Sequence, residues 1–378
     1  MLALSSLFAC AADMASDEEN FGDPNKQLFW NLEQKIAGFR NMDKLSWTRS
    51  VPAGDSPYPL SKEEVDLGTV KFEFADETWT VNDYVARQKV AGLIVVNNDS
   101  IAYERYELGN TDQSRWVSYS VAKSVTSLLI GAALQDGYIE SIDEKIPDYL
   151  PRLRNSPYEQ SSIRNLLQMA SGVGWNEDYT DPDSDVSTTP WNTLELTEYL
   201  RGKQRVAEPG EEFNYNTAET NLLGSLLRSA VGNNLSTYLS EKIWKPFGME
   251  SDAYWVLSEA GGGEFGGSSL NATLRDYARI GLFAMRGGVL PDGTRVLPKG
   301  WIIESTTPSK GHAGYGYLWW LRDGGAFAAI GIFGQAIYVD PASNVVIALH
   351  SARDAASKVE DWELQLAMFE ALVSAVSH

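Results

Sequence analysis

Hydrophobic positions change rhythm three times along this chain. From Phe29 to Phe39 they recur at helical spacing, and residues 45–62, with Pro52, Pro57 and Pro59, read as loop. The apolar runs 91–97 and 100–106, separated by Asn98-Asp99, predict a β-hairpin. Val121 to Ala133 is apolar nearly all round and is followed by Gly137, which predicts a buried helix. From 140 to 275 no segment reads as a strand; 161–170 and 217–231 read as helices between polar loops. Strands return past 310, at 316–321, 326–332, 335–339 and 344–349. The chain closes with a helix, in which Trp362, Leu366, Phe369, Val373 and Val376 recur at spacings of 4, 3, 4 and 3. No internal repeat is present. Strands, then helices, then an antiparallel run predict an α+β or α/β fold built from both chain ends. Residues 27–140 plus 276–378 would form the α/β domain, 141–275 an inserted helical domain, and 1–26 a flexible or signal-like lead-in.

Composition narrows the functions open to this fold. With 378 residues, 43% hydrophobic and 22% charged, the chain is an ordinary globular protein of about two domains. Asp and Glu outnumber Lys and Arg by 51 to 31, giving a net charge of −20. Such a field repels phosphate backbones and anionic membranes, so nucleic acid and membrane are poor partners and a small molecule is the expected one. Cys10 is the only cysteine, which excludes an internal disulfide and a cysteine zinc site. His312, His350 and His378 are too scattered for a metal cluster. No metal or other cofactor is expected. The apolar run Leu2 to Ala12 is too short to span a bilayer, which takes about 20 residues. It reads either as the core of an export signal, with Leu7-Phe8-Ala9-Cys10 faintly like a lipobox, or as the frayed start of a cytoplasmic protein; both readings stand.

One motif carries chemistry. Ser118-Tyr-Ser-Val-Ala-Lys-Ser124 leads into the predicted buried helix. Ser120 and Lys123, at i and i+3, share a helix face. Ser-x-x-Lys alone is weak, since a capping serine and a solvated lysine produce it. Here Val125, Leu128, Leu129, Ile130, Ala132 and Ala133 bury the helix behind the lysine. A desolvated lysine has a lowered pKa and serves as a base. A serine at a helix N-terminus sits where free N–H groups stabilise developing negative charge. Together they have the form of a serine nucleophile activated by lysine.

Two further segments extend the pattern. Glu208-Pro-Gly-Glu-Glu-Phe-Asn-Tyr215-Asn-Thr217 places a tyrosine before a helix, and Phe327-Ala-Ala-Ile-Gly331-Ile332-Phe-Gly334-Gln335 gives strand, glycine kink and strand. With these three motifs, residues 90 to 375 resemble the penicillin-recognising serine hydrolases, in the branch related to class C β-lactamases. Trp175-Asn-Glu-Asp-Tyr179-Thr-Asp-Pro182 and Gly331-Ile-Phe-Gly-Gln335 are most similar to 6-aminohexanoate-dimer hydrolases and neighbouring carboxylesterases. The resemblance implies a β-lactamase-like fold: an antiparallel sheet flanked by helices, with an all-helical insertion. It implies Ser120 as acylated nucleophile, Lys123 as its base and Tyr215 as proton relay to the leaving group. The backbone N–H groups of Ser120 and Ile332 would form the oxyanion hole. Tyr179, Trp191, Thr217 and Gly331 would meet substrate, Tyr179 at the leaving atom; its bland alternative is packing on Trp175. The glycine-rich 261–267 segment reads either as a cleft border or as a flexible connection.

Two departures from the resemblance bear on substrate. Thr217 stands where the branch carries an asparagine amide. Ala329-Ile330-Gly331 replaces the Lys-Thr-Gly strand whose lysine attracts a β-lactam carboxylate; there is no obvious substitute, though Arg353 could reach in from the strand after. These favour cleavage of neutral esters and linear amides over a β-lactamase or D-alanyl-D-alanine peptidase. An inactive binding homologue is the non-enzyme alternative, disfavoured because serine, lysine and tyrosine are all retained. A generic α/β hydrolase is excluded by the absence of Gly-x-Ser-x-Gly.

Overall fold

The computed structural model describes residues 17–356 and 358–377. Its larger sheet has seven strands. Six run antiparallel in the order Trp320–Leu321, Phe327–Ile330, Ala336–Asp340, Val345–Ser351, Val90–Asn97, Ser100–Tyr106, and Ser61–Lys62 pairs parallel to the last. Alternation sorts the side chains of the two central strands. Val345, Ile347, Leu349, Leu93 and Val95 pack with the terminal helix Val359–Val376. Val346, Ala348, Ile94 and Val96 pack with the helices Val121–Gln135 and Leu274–Met285. Both faces being covered, these strands are apolar from Val345 to Leu349 and from Val90 to Val96. Gly281 lets Leu274–Met285 settle closely on the sheet: a Cβ there would lie 2.5 Å from Cγ1 of Val346.

A second sheet corrects the sequence reading. Thr48–Val51 lies in the segment expected to be loop, and Ala253–Val256 and Leu270–Ala272 lie in the segment expected to hold no strand. They pair antiparallel in that order, and Trp116–Val117 closes the far edge. Strands of two to four residues are too short to display a period, and their partners are remote in sequence. Other elements are shorter than expected. The 161–170 helix is Ile163–Leu167, and of 316–321 only Trp320–Leu321 is a strand, with Leu318 at φ +61° bending the chain before it.

The lead-in is not loose from Asp17 onward. The Asp17 carboxylate accepts bonds from Arg40 Nε at 2.8 Å and Asn41 Nδ2 at 3.0 Å, and Trp30 Nε1 donates to Asp23 O at 2.8 Å. The Leu2–Ala12 run and Cys10 lie outside the described residues. No described helix is long and apolar enough to cross a membrane.

Candidate active site

The site begins where Trp116–Val117 leaves the small sheet. Buried Tyr119 takes φ +44°, a conformation seldom adopted by a bulky residue, and turns the chain so that Ser120 becomes the N-cap of Val121–Gln135. Ser120 makes no side-chain cap bond, so its hydroxyl is not spent on the helix. One turn later Lys123 is 1% exposed. Its Nζ donates to Ser120 Oγ at 2.9 Å, Thr217 Oγ1 at 2.9 Å and Gly267 O at 2.8 Å. Burial lowers its pKa to about 8, against the opposing pull of the Glu177 charge. Once deprotonated, the amine can keep two donated bonds and accept the Ser120 hydroxyl proton.

Tyr215 arrives on the segment leading into Thr217–Val231. Its ring stacks on Trp320, with centroids 5.8 Å apart and planes at 23°, and Lys123 Nζ lies 5.1 Å from the ring centroid. Burial raises the phenol pKa, and a hydrogen bond with Ser120 offsets part of the rise. The phenol is therefore protonated at neutral pH and available as an acid.

The third wall is the kink after Phe327–Ile330. A Cβ on Gly331 would sit 2.4 Å from Ser118 O, so only glycine lets the strand end abut the turn that carries Ser120. Neighbouring amides are engaged: Gly331 N donates to Gln335 O at 2.8 Å, Gly334 N to Gly331 O at 3.0 Å and Phe333 N to Gln335 Oε1 at 3.1 Å. The N–H groups of Ser120 and Ile332 have no acceptor among the described residues.

The structure adds residues that the motifs did not single out. Glu177, two before Tyr179, accepts bonds from Thr217 N at 3.1 Å, Tyr179 Oη at 2.7 Å, Thr217 Oγ1 and Trp175 Nε1. A hydrogen-bonded line thus runs Glu177–Thr217–Lys123–Ser120. Thr217, expected to meet substrate, has its hydroxyl taken up by Lys123 and Glu177. The glycine-rich segment is neither loose nor merely peripheral. Gly267 supplies a carbonyl to Lys123, and its N–H donates to Asn221 Oδ1 at 3.0 Å. A Cβ on it would lie 2.8 Å from Thr217 O. Only the Trp-Asn-Glu-Asp-Tyr resemblance pointed near Glu177; nothing in the sequence marked a backbone carbonyl.

Arg353 does not replace the missing strand lysine. It is buried, donates to Tyr84 Oη at 2.7 Å and to Gln365 Oε1, and lies over the Trp362 ring. His350 is likewise engaged within the fold, with Nδ1 3.2 Å from Asn110 Nδ2. It stacks on Trp116 and meets the edge of Tyr277, and burial pushes its pKa down to about 3. No group of His, Cys, Asp and Glu among the described residues could hold a metal.

Ser120, Tyr179 and Ile332 line two adjoining cavities. The first, about 570 Å³, is also lined by Tyr215, Gly331, Trp320, His312 and Arg322. The second, about 640 Å³, is also lined by Trp191, Thr217, Asn221 and Phe265. A family model described as Beta-lactamase matches residues 80–368. The chain belongs to the beta-lactamase family. Within the family it is 29% identical over 283 residues to the 6-aminohexanoate-dimer hydrolase of Paenarthrobacter ureafaciens, covering 68% of this chain and 70% of that one. Two solved structures share the beta-lactamase fold at lower identity. A Bacillus anthracis protein assigned as a 6-aminohexanoate-dimer hydrolase superposes with a TM-score of 0.82 at 23% identity, over 91% of this chain and 94% of its own. A family VIII carboxylesterase does so with a TM-score of 0.59 at 16% identity, over 77% and 96%.

Proposed function

We propose that this chain is a serine hydrolase that cleaves carboxylic esters and linear amides through an acyl-enzyme on Ser120. The observation that carries the reading is Lys123 Nζ at 2.9 Å from Ser120 Oγ, with the Ser120 and Ile332 N–H groups left without acceptors among the described residues. Neutral Lys123 takes the Ser120 proton as Oγ bonds to the substrate carbonyl carbon. The carbonyl electron pair moves onto oxygen, which the Ser120 and Ile332 N–H groups receive; one such donor is worth about 10²–10³ in rate. On collapse the bond to the leaving oxygen or nitrogen breaks. Tyr215 gives that atom a proton and regains one from Lys123. Water then attacks the ester on Ser120 by the same steps in reverse order, releasing the acid. Similarity to a 6-aminohexanoate-dimer hydrolase supports linear amides as substrates, and the carboxylesterase fold likeness is compatible with esters. The test is Ser120→Ala together with intact-mass measurement after exposure to a phosphonate ester. The expected result is a single adduct on Ser120 and a loss of at least about 10³-fold in kcat/KM for the variant. An adduct on another residue, or an active Ser120→Ala protein, overturns the reading.

A further inference from the structure

Two cavities meet at Ser120, and the proposed mechanism divides the substrate between them. Tyr215, the acid for the leaving atom, lines the first and not the second. The second is therefore the one that would take the acyl part. Residues 24–29 and 45–47 form part of its wall, although the family model matches only from residue 80 onward. This lead-in is fastened to the turn that carries Ser120. Tyr119 Oη donates to Gln27 Oε1 at 3.2 Å. Phe39, at the end of the helix Leu32–Phe39, packs on Tyr119 and on Phe333 with ring centroids 5.2 and 5.4 Å away. Lys35, on the same helix, has Nζ 4.3 Å from the Phe333 centroid and donates to Arg353 O at 2.9 Å and Asp354 O at 2.7 Å. Tyr119 precedes Ser120 and Phe333 follows Ile332, so the lead-in is braced on both sides of the proposed oxyanion hole.

The wall so built is aromatic and almost without charge. In a chain of net charge −20, no carboxylate among the described residues lines the second cavity, and its one ionic side chain, Lys26, is exposed. Its rings grade from buried to exposed. Tyr119, next to Ser120, is buried; Trp191 and Phe265, edge to face at 6.0 Å, are half-buried; Phe29 and Trp47 are 58% and 65% exposed. Trp47 is held there through its carbonyl, which accepts from Leu257 N at 2.8 Å, and Leu257 lines the same cavity. Two large rings left in water at one mouth add nothing to the core, but they gain apolar burial when a ligand covers them. The cavity holds about 640 Å³, within the roughly 300–1,000 Å³ of small-molecule sites and far more than an acetyl group fills. A charge at the tail of an acyl chain would lose water here and find no buried partner.

We infer that residues 24–29 and 45–47 form the outer part of the acyl subsite, with Phe29 and Trp47 setting its specificity, so that the enzyme prefers uncharged acyl groups whose apolar chain or ring reaches the rim. The inference rests on the serine hydrolase reading above. Each methylene moved from water onto such a wall is worth up to about fourfold in recognition, until the chain passes the rim.

The test keeps p-nitrophenol as leaving group and varies the acyl group: acetyl, butanoyl, hexanoyl, 6-phenylhexanoyl, and adipoyl, whose free carboxylate ends a chain as long as hexanoyl. For the wild type, kcat/KM relative to acetyl should rise at least about tenfold by 6-phenylhexanoyl, and adipoyl should fall below hexanoyl. Trp47→Ala and Phe29→Ala should each cut the gain by about three- to tenfold, and Trp47→Phe should keep part of it. Ile303→Ala, exposed away from both cavities, should leave the gain as it is. Dividing by the acetyl value cancels any general loss of folded enzyme. A flat series, adipoyl equal to hexanoyl, or a gain untouched in both alanine variants overturns the subsite. An untouched gain together with a lower mass on size exclusion would give the two rings to an interface between copies instead. Wild-type failure on every ester, acetyl included, overturns the hydrolase reading and the subsite with it.

Discussion

In the proposed mechanism the chemistry turns on Lys123, and its burial sets the pH at which it can act. With a pKa of about 8, about a tenth of it is neutral at pH 7. A base must be neutral to accept the serine proton, so kcat/KM should rise about tenfold per pH unit up to about 8 and then level. A pH–rate profile on an ester whose leaving group needs no protonation reads this limb directly. Glu177 raises the Lys123 pKa by its charge. Glu177→Gln should therefore move the limb to lower pH, whereas a residue that only packed would lower the rate without moving it. Lys123→Arg should be nearly inactive at every pH, because a guanidinium does not give up its proton.

At the scale of elements, the start of Thr217–Val231 is held by a buried acid. Glu219 receives bonds from Tyr158 Oη at 3.1 Å and from Ser171 Oγ, while its Oε2 has no partner among the described residues. Burial pushes its pKa up to about 8, so the folded chain keeps a proton that the unfolded carboxyl releases from about 4.5 upward. Its raised folded pKa makes stability fall as pH rises through that window, and the cost is complete above about 8. Glu219→Gln removes the titration. Unfolding free energies from urea titrations at about pH 5 and about pH 8 should differ on the order of a few kcal/mol more for the wild type than for this variant. Equal pH dependence in the two proteins would show that Glu219 titrates normally.

At the scale of the whole molecule, charge and shape set the order of substrates. Esters should be turned over faster than amides, because an alkoxide leaves with less help from Tyr215 than an amide nitrogen does. β-Lactams should be slowest. Ala329 offers their carboxylate no cation, Arg353 is committed to Tyr84 and Gln365, and the net charge is −20. Losing one charge-assisted bond costs about ten- to hundred-fold in recognition. A panel of short p-nitrophenyl esters, their anilide counterparts and nitrocefin measures the ranking; nitrocefin cleaved as fast as the esters would reverse it.

Much of this protein was legible in its sequence because the deciding patterns are local. The hairpin 91–106, the buried helix behind Lys123, the helix from Thr217 and the terminal helix all announce themselves by period, and Ser120 and Lys123 need only one helical turn to meet. The resemblance ordered Tyr215 and Gly331 beside them without geometry. Other features depended on chain segments that meet only when folded. The short strands Thr48–Val51, Ala253–Val256 and Leu270–Ala272 exist because of remote partners, and periodicity cannot report a partner. Glu177 and the Gly267 carbonyl reach Lys123 across the fold. Burial then decided which charges are free: Arg353, the candidate in the sequence, is spent within the fold. Sequence determined which groups can react, since reactivity belongs to residue type and near spacing. Tertiary structure decided which of them are desolvated, paired or open to substrate, since those properties belong to neighbours that the chain order does not name.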